Sequence, residues 1–158
     1  MTLTSLTEEE FKRLIGYEEV AYTHRFDDDP GITGFFKQTR PGGDIYEAFT
    51  RHLDMSGIIK PFEQVVLPLR LAYENAFEHG EPPVRTDILK GSKGAIARIT
   101  DHGEGFDYAT AIEDFRRQRA TTPESNGYGV GFDVFEDIRL LCAYQGRGNI
   151  ITLGLYEA

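Results

Sequence analysis

A mixed α/β or α+β fold whose strands are joined mainly by hairpins is what this 158-residue sequence predicts. Three observations carry the prediction. The β-rich segments "VRTDILK" and "AIARIT" flank "GSKG", a four-residue turn that fits an antiparallel hairpin. A second pair of strands is expected in "RLLCAYQGRGNIITLGLYE", about a Gly-Arg-Gly turn. Ahead of both, residues 61–79 carry the apolar stripe Phe62, Val65, Val66, Leu69, Ala72 and Ala76 at helical spacing.

The remaining elements follow in chain order. Thr7 and Glu10 stand in capping-box spacing at the start of "SLTEEEFKRLIGY", and Gly16 supplies a stop, so a short helix is expected there. "EEVAYTHRF" alternates weakly and reads as a strand. "DDDPGITG" reads as a solvated turn, because Gln38 stands where a calcium loop would need its closing glutamate. Asp44 and Glu47 repeat the capping-box spacing before a helix whose apolar face is Ile45, Ala48, Phe49 and Leu53. In the long helix, Pro61 fits the first turn and Gly80 the end, while Pro68 must kink the helix or mark a later start. Residues 107–126 are polar, with a helix expected around "TAIEDFRRQRA". "GYGVGFDVFEDIRLL" then reads as glycines running into another helix.

Composition narrows the functional classes. One domain with one core fits the length and the 40% hydrophobic content. A formal net charge of −9 counts against nucleic acid or an anionic membrane as a partner held by bulk electrostatics. The single cysteine, Cys142, lies in the apolar run "LLCAY" and reads as a small hydrophobe. Neither a signal peptide nor an apolar run of about 18 residues is visible, so a soluble, cytoplasmic protein is expected.

Three stretches carry polar groups with chemistry. On the long helix Asn75 and His79 share a face one turn apart, with Glu78 beside them; they read either as an exposed polar stripe or as part of a site. In "ITDHGEGFD", Asp101 follows an apolar strand and precedes Gly103 and Gly105. A carboxylate there can accept a hydrogen bond from an exocyclic amine and would oppose a carbonyl oxygen, which favours adenine over guanine; a plain turn is the alternative. In "NGYGVGF", Gly127, Gly129 and Gly131 precede a helix, where bare backbone N–H groups suit phosphate, or where a flexible helix entry suffices. The spacing is not that of a dinucleotide-binding or Walker-type loop.

In this order the segments resemble the GHKL superfamily of ATP-binding domains, which includes histidine-kinase catalytic domains, gyrase-type ATPases and anti-sigma-factor serine kinases. "NAFEH" resembles the asparagine box, "DHGEGF" the D-x-G-x-G-[FM] box, "GYGVGF" the glycine-rich box and "GRGNIITLGL" the last hairpin, together covering about residues 62–156. The resemblance implies a Bergerat-type two-layer sandwich, a mixed and mainly antiparallel sheet with helices packed on one face. Residues 61–158 would form the core with the nucleotide site, and residues 1–60 an extension on or beside it. It also implies ATP and Mg²⁺ as cofactors. Asn75 would ligate the metal, His79 would sit near the phosphates, and Asp101 would take the adenine amine. Gly103, Gly105 and Phe106 would surround the base, and Gly127, Tyr128, Gly129, Val130 and Gly131 would meet the phosphates. Residues 107–126 would form a lid, to which Arg116, Arg117 and Arg119 add charge.

One departure is chemical. Members that use a general base place a glutamate four residues before the asparagine, and here that residue is Leu71. An apolar side chain accepts no proton, and the nearest carboxylates, Glu74 and Glu78, are offset from it. No phosphoacceptor helix pair is visible, and His24, His52 and His102 have no metal spacing. The resemblance therefore implies a regulatory ATP-binding switch in bacterial signalling, like the stand-alone anti-sigma-factor serine kinases. Its expected partner is a protein such as a sigma factor, an antagonist or a response-regulator-like domain, and the sequence leaves open both a monomer and a homodimer. The alternative is a nucleotide-binding interaction module without catalysis.

Overall fold

The computed structural model describes residues 2–51, 53, 61–121 and 140–156. Its elements run β1 (Thr2–Leu3), α1 (Glu8–Ile15), β2 (Tyr17–Phe26), α2 (Gly31–Thr39), α3 (Asp44–Thr50), a π-helical segment Phe62–Val66, α4 (Leu67–His79), β3 (Val84–Gly91), β4 (Gly94–Thr100), α5 (Tyr108–Thr121), β5 (Leu140–Gln145) and β6 (Ile150–Tyr156). The strands form one six-stranded sheet in the order β1-β5-β6-β4-β3-β2. All neighbours pair antiparallel except β1, which lies parallel to β5. Both predicted hairpins, β3–β4 and β5–β6, are present.

Side-chain alternation splits the sheet into two apolar faces. On one, Ile88, Ala95, Ala97, Ile99, Leu140, Cys142, Ile151, Leu153 and Leu155 pack with Phe35, Ile45, Phe49, Val65, Leu69, Ala72 and Tyr73 from α2, α3 and the long helical segment. On the other, Leu89, Ile96 and Ala143 pack with Phe11 and Ile15 of α1. The expectation that the helices share one face therefore holds for α2, α3 and α4 and not for α1. Strands β3, β4 and β5 offer apolar residues on both faces, so both need cover.

Local chemistry explains the helix ends. At α1 the Thr7 hydroxyl accepts from Glu10 N–H at 3.2 Å and the Glu10 carboxylate accepts from Thr7 N–H at 3.0 Å. Gly16 closes the helix in the left-handed region, φ +63°. At α3 the expected capping box does not form: Gly43 is the N-cap, and the Glu47 carboxylate accepts from Gly42 N–H at 2.7 Å instead. Pro68 has no N–H to return to the carbonyl of residue 64. The chain answers with the π-helical turn, in which Leu67 N–H bonds to Phe62 O, and α4 starts later with Pro68 in its first turn. Among the described residues no helix is long and apolar enough to cross a membrane.

Candidate functional site

A cavity of about 420 Å³ opens between α4 and the sheet. Ala72, Asn75, Ala76 and His79 line it from the helix side, at the i, i+3, i+4, i+7 spacing of one helical face. Ala72 and Ala76 are buried and small, so the helix lies over the sheet without filling the space. From the sheet come Ile99, Ile151 and Tyr144, and Gly80, Gly105, Phe106, Gly148 and Asn149 form the rim.

Asp101 reaches this cavity because it stands two residues beyond Ile99, on the same side of the strand line. It is 9% exposed. Burial pushes its carboxyl above the ordinary carboxylate value; the N–H groups of Gly103 and Glu81 and the charges of His102 and Arg147 pull back only part of that shift. Gly103 N–H donates to Oδ1 at 2.7 Å. The main chain of Asp101 is clamped to the β5–β6 turn: its N–H donates to Asn149 O at 3.0 Å, and Asn149 Nδ2 donates to its carbonyl at 3.3 Å.

The loop after β4 is locked to the same turn. Phe106 N–H donates to Arg147 O at 2.9 Å, and Arg147 Nη2 donates to Gly103 O at 3.1 Å. Gly105 (φ +82°) and Gly148 (φ +92°) are both in the left-handed region. A Cβ on Gly105 would fall 1.9 Å from Arg147 O, and one on Gly148 2.6 Å from Phe106 O. The Phe106 ring, 41% exposed, meets Tyr144 edge-on at 5.1 Å, and Tyr144 stacks on Tyr108 at 5.9 Å. The site thus presents a flat, mostly apolar slot with one buried carboxylate at its end and an amide and an imidazole along the helix.

Asn75, His79, Asp101, Gly105 and Phe106 all line this cavity, and Gly103 buttresses Asp101 from behind. Gly127, Tyr128, Gly129, Val130 and Gly131 lie outside the described residues, as do the side chains of Arg116 and Arg119. Arg117 is exposed and pairs with Asp114 on its own helix. Leu71 is half-buried, packs against the core and is not part of the cavity lining. Glu74 pairs with Arg70 at 3.5 Å, and neither it nor Glu78 lines the cavity. Sequence reasoning missed Tyr144, Asn149 and Gly80 as site residues. The Gly-Arg-Gly turn was the available signal, because a hairpin pairing β6 with β4 must bring that turn beside Asp101.

Among the described residues no group of three or more His, Cys, Asp or Glu side chains could hold a metal ion. The lining does suit a hard cation shared with a ligand, since the Asn75 amide oxygen is a neutral oxygen donor. No protein-family model matches the chain, and comparison with curated proteins and with solved structures finds no match.

Proposed function

We propose that this chain is an adenine-nucleotide-binding regulatory domain of Bergerat type, which uses bound ATP and Mg²⁺ to control docking of a partner protein in cytoplasmic signalling. One observation carries the reading: a buried carboxylate at a strand end and an amide on the facing helix open on the same slot. A volume of about 420 Å³ falls within the range of small-molecule and cofactor sites. Asp101, ionised, accepts the exocyclic amine of adenine, and Ile99, Ile151 and Phe106 cover the faces of the base. Asn75 would hold a Mg²⁺ through its amide oxygen, and that cation would supply charge neutralisation at the nucleotide phosphates. The same lining supports a switch without catalysis over a kinase. Leu71 packs against the core, and among the described residues Asp101 is the only carboxylate in the lining, committed to the base end.

Titration calorimetry with ATP, ADP and GTP plus Mg²⁺ tests the reading. Adenine nucleotides should bind at about 1–100 μM, or roughly −5.5 to −8 kcal/mol, with GTP weaker and phosphate release negligible. Asp101→Asn should weaken ATP binding roughly tenfold to a hundredfold, the worth of a hydrogen bond to a charged group. Silence at millimolar ATP overturns the reading; brisk turnover by the wild-type chain overturns the non-catalytic part of it.

A further inference from the structure

Gly80 ends α4 with φ −110° and ψ −159°, extended backbone that any residue adopts. Conformation therefore does not require glycine there. Space does: a Cβ on Gly80 would fall 2.3 Å from Asp101 Cγ and 2.4 Å from its Oδ1, as well as 2.5 Å from Ala76 O. Gly103 closes the same gap from the other side, where a Cβ would lie 2.8 Å from Gly80 Cα and 3.0 Å from Asp101 Oδ1. Around this gap the chain is stitched by His102 N–H to Glu81 O at 2.9 Å and by His102 Nδ1 against Pro83 O at 2.8 Å. The Asp101 carboxylate is thus seated between two side-chain-free positions, with Oδ1 held by Gly103 N–H at 2.7 Å.

We infer that Gly80 and Gly103 are positioning residues that set purine selectivity, by letting the end of α4 close on the Asp101 carboxylate and fix the direction in which it meets a ligand amine. The inference rests on the adenine-nucleotide reading. Its physical content is that a Cβ at position 80 must push the carboxylate out of its seat, and a hydrogen bond turned off-line loses most of its strength.

The probes are ATP and the triphosphate of purine riboside, which lacks the exocyclic amine, each titrated with Mg²⁺ into the full chain. Wild-type protein should prefer ATP by about tenfold or more. Gly80→Ala should collapse that preference toward unity, the loss of affinity falling on ATP more than on the amine-free ligand. In the Asp101→Asn background Gly80→Ala should cost little further ATP affinity, the non-additivity expected of a residue that acts through Asp101. An unchanged preference in Gly80→Ala, or an equal loss for both ligands, overturns the inference and marks Gly80 as a packing residue against Ala76. If Gly80→Ala does not fold, Gly103→Ala, with its looser contacts, carries the same test: a reduced preference supports the inference and an unchanged one overturns it. A wild-type chain that ignores both ligands overturns the nucleotide reading itself, whereas a wild-type chain that binds ATP while the variants keep its preference overturns only this inference.

Discussion

At Asp101 the apolar lining opposes ionisation, yet the proposed contact with an exocyclic amine needs the carboxylate charged. Burial raises its carboxyl above the ordinary 3.8. Nucleotide affinity should therefore fall on acidification at a higher pH than an ordinary aspartate would give, and calorimetry over a series of falling pH, with Asp101→Asn as the reference, reads the direction of that displacement. The linkage to stability has the opposite sign. A folded carboxyl raised above its unfolded value makes the native state take up a proton, so its contribution to stability is present at low pH and lost as pH rises from 3.8 through the raised value. Asp101→Asn keeps an acceptor for Gly103 N–H while removing the buried charge. At pH 7 the ligand-free variant should melt no lower than wild type although it has lost affinity; a large drop in Tm would show that Asp101 serves the fold rather than the site.

Among the elements, α1 owes its start to two reciprocal hydrogen bonds, and Thr7→Ala removes one of them. The expected cost is about 1 kcal/mol, read as a lower midpoint in urea with an unchanged slope. Elements governed by local rules of this kind were legible in the sequence: α1 from Thr7, Glu10 and Gly16, the two hairpins from their turns, and an irregularity of the long helix at Pro68, which the structure takes up as a π-helical turn ahead of α4. Helix α2 was not. Its segment carries Pro30, Gly31 and Gly34 and has no side-chain cap, all signs of a turn. Tertiary packing overrides them, because Phe35 is 2% exposed and meets Phe26, Tyr73 and Phe77 in one aromatic cluster. The site divides the same way. Asn75, His79 and Asp101 stand in short segments whose spacing carries meaning, whereas Tyr144 and Asn149 reach the cavity only through the pairing of β6 with both β4 and β5.

On the scale of the molecule the sheet separates two tasks, with the cavity under α4 on one face and an ionic tie to α1 on the other. Asp87, 3% exposed, accepts from Thr23 Oγ1 at 2.9 Å, Arg85 Nε at 3.0 Å and Arg98 Nη2 at 3.0 Å, and Arg98 also pairs with Glu8 of α1. Burial alone would raise the Asp87 carboxyl; the bonds from Arg98 and Thr23 and the charges of Arg98 and Arg85 outweigh it and hold the carboxyl below the ordinary range. Because the folded value is depressed, the stabilisation is fully present above 3.8 and is lost as pH falls below that. Arg98→Met leaves the buried charge short of a partner and unties α1. At pH 7 it should cost about 2–4 kcal/mol, seen by circular dichroism as a Tm lower by roughly 5–10 °C. The gap to wild type should narrow below pH 3.8, where a protonated Asp87 no longer needs the guanidinium. Since Arg98 and the cavity lie on opposite faces, ATP affinity measured well below the variant's Tm should stay within about twofold of wild type. A loss of affinity in step with the loss of stability would mean that the two faces are coupled through the sheet and that α1 takes part in the switch.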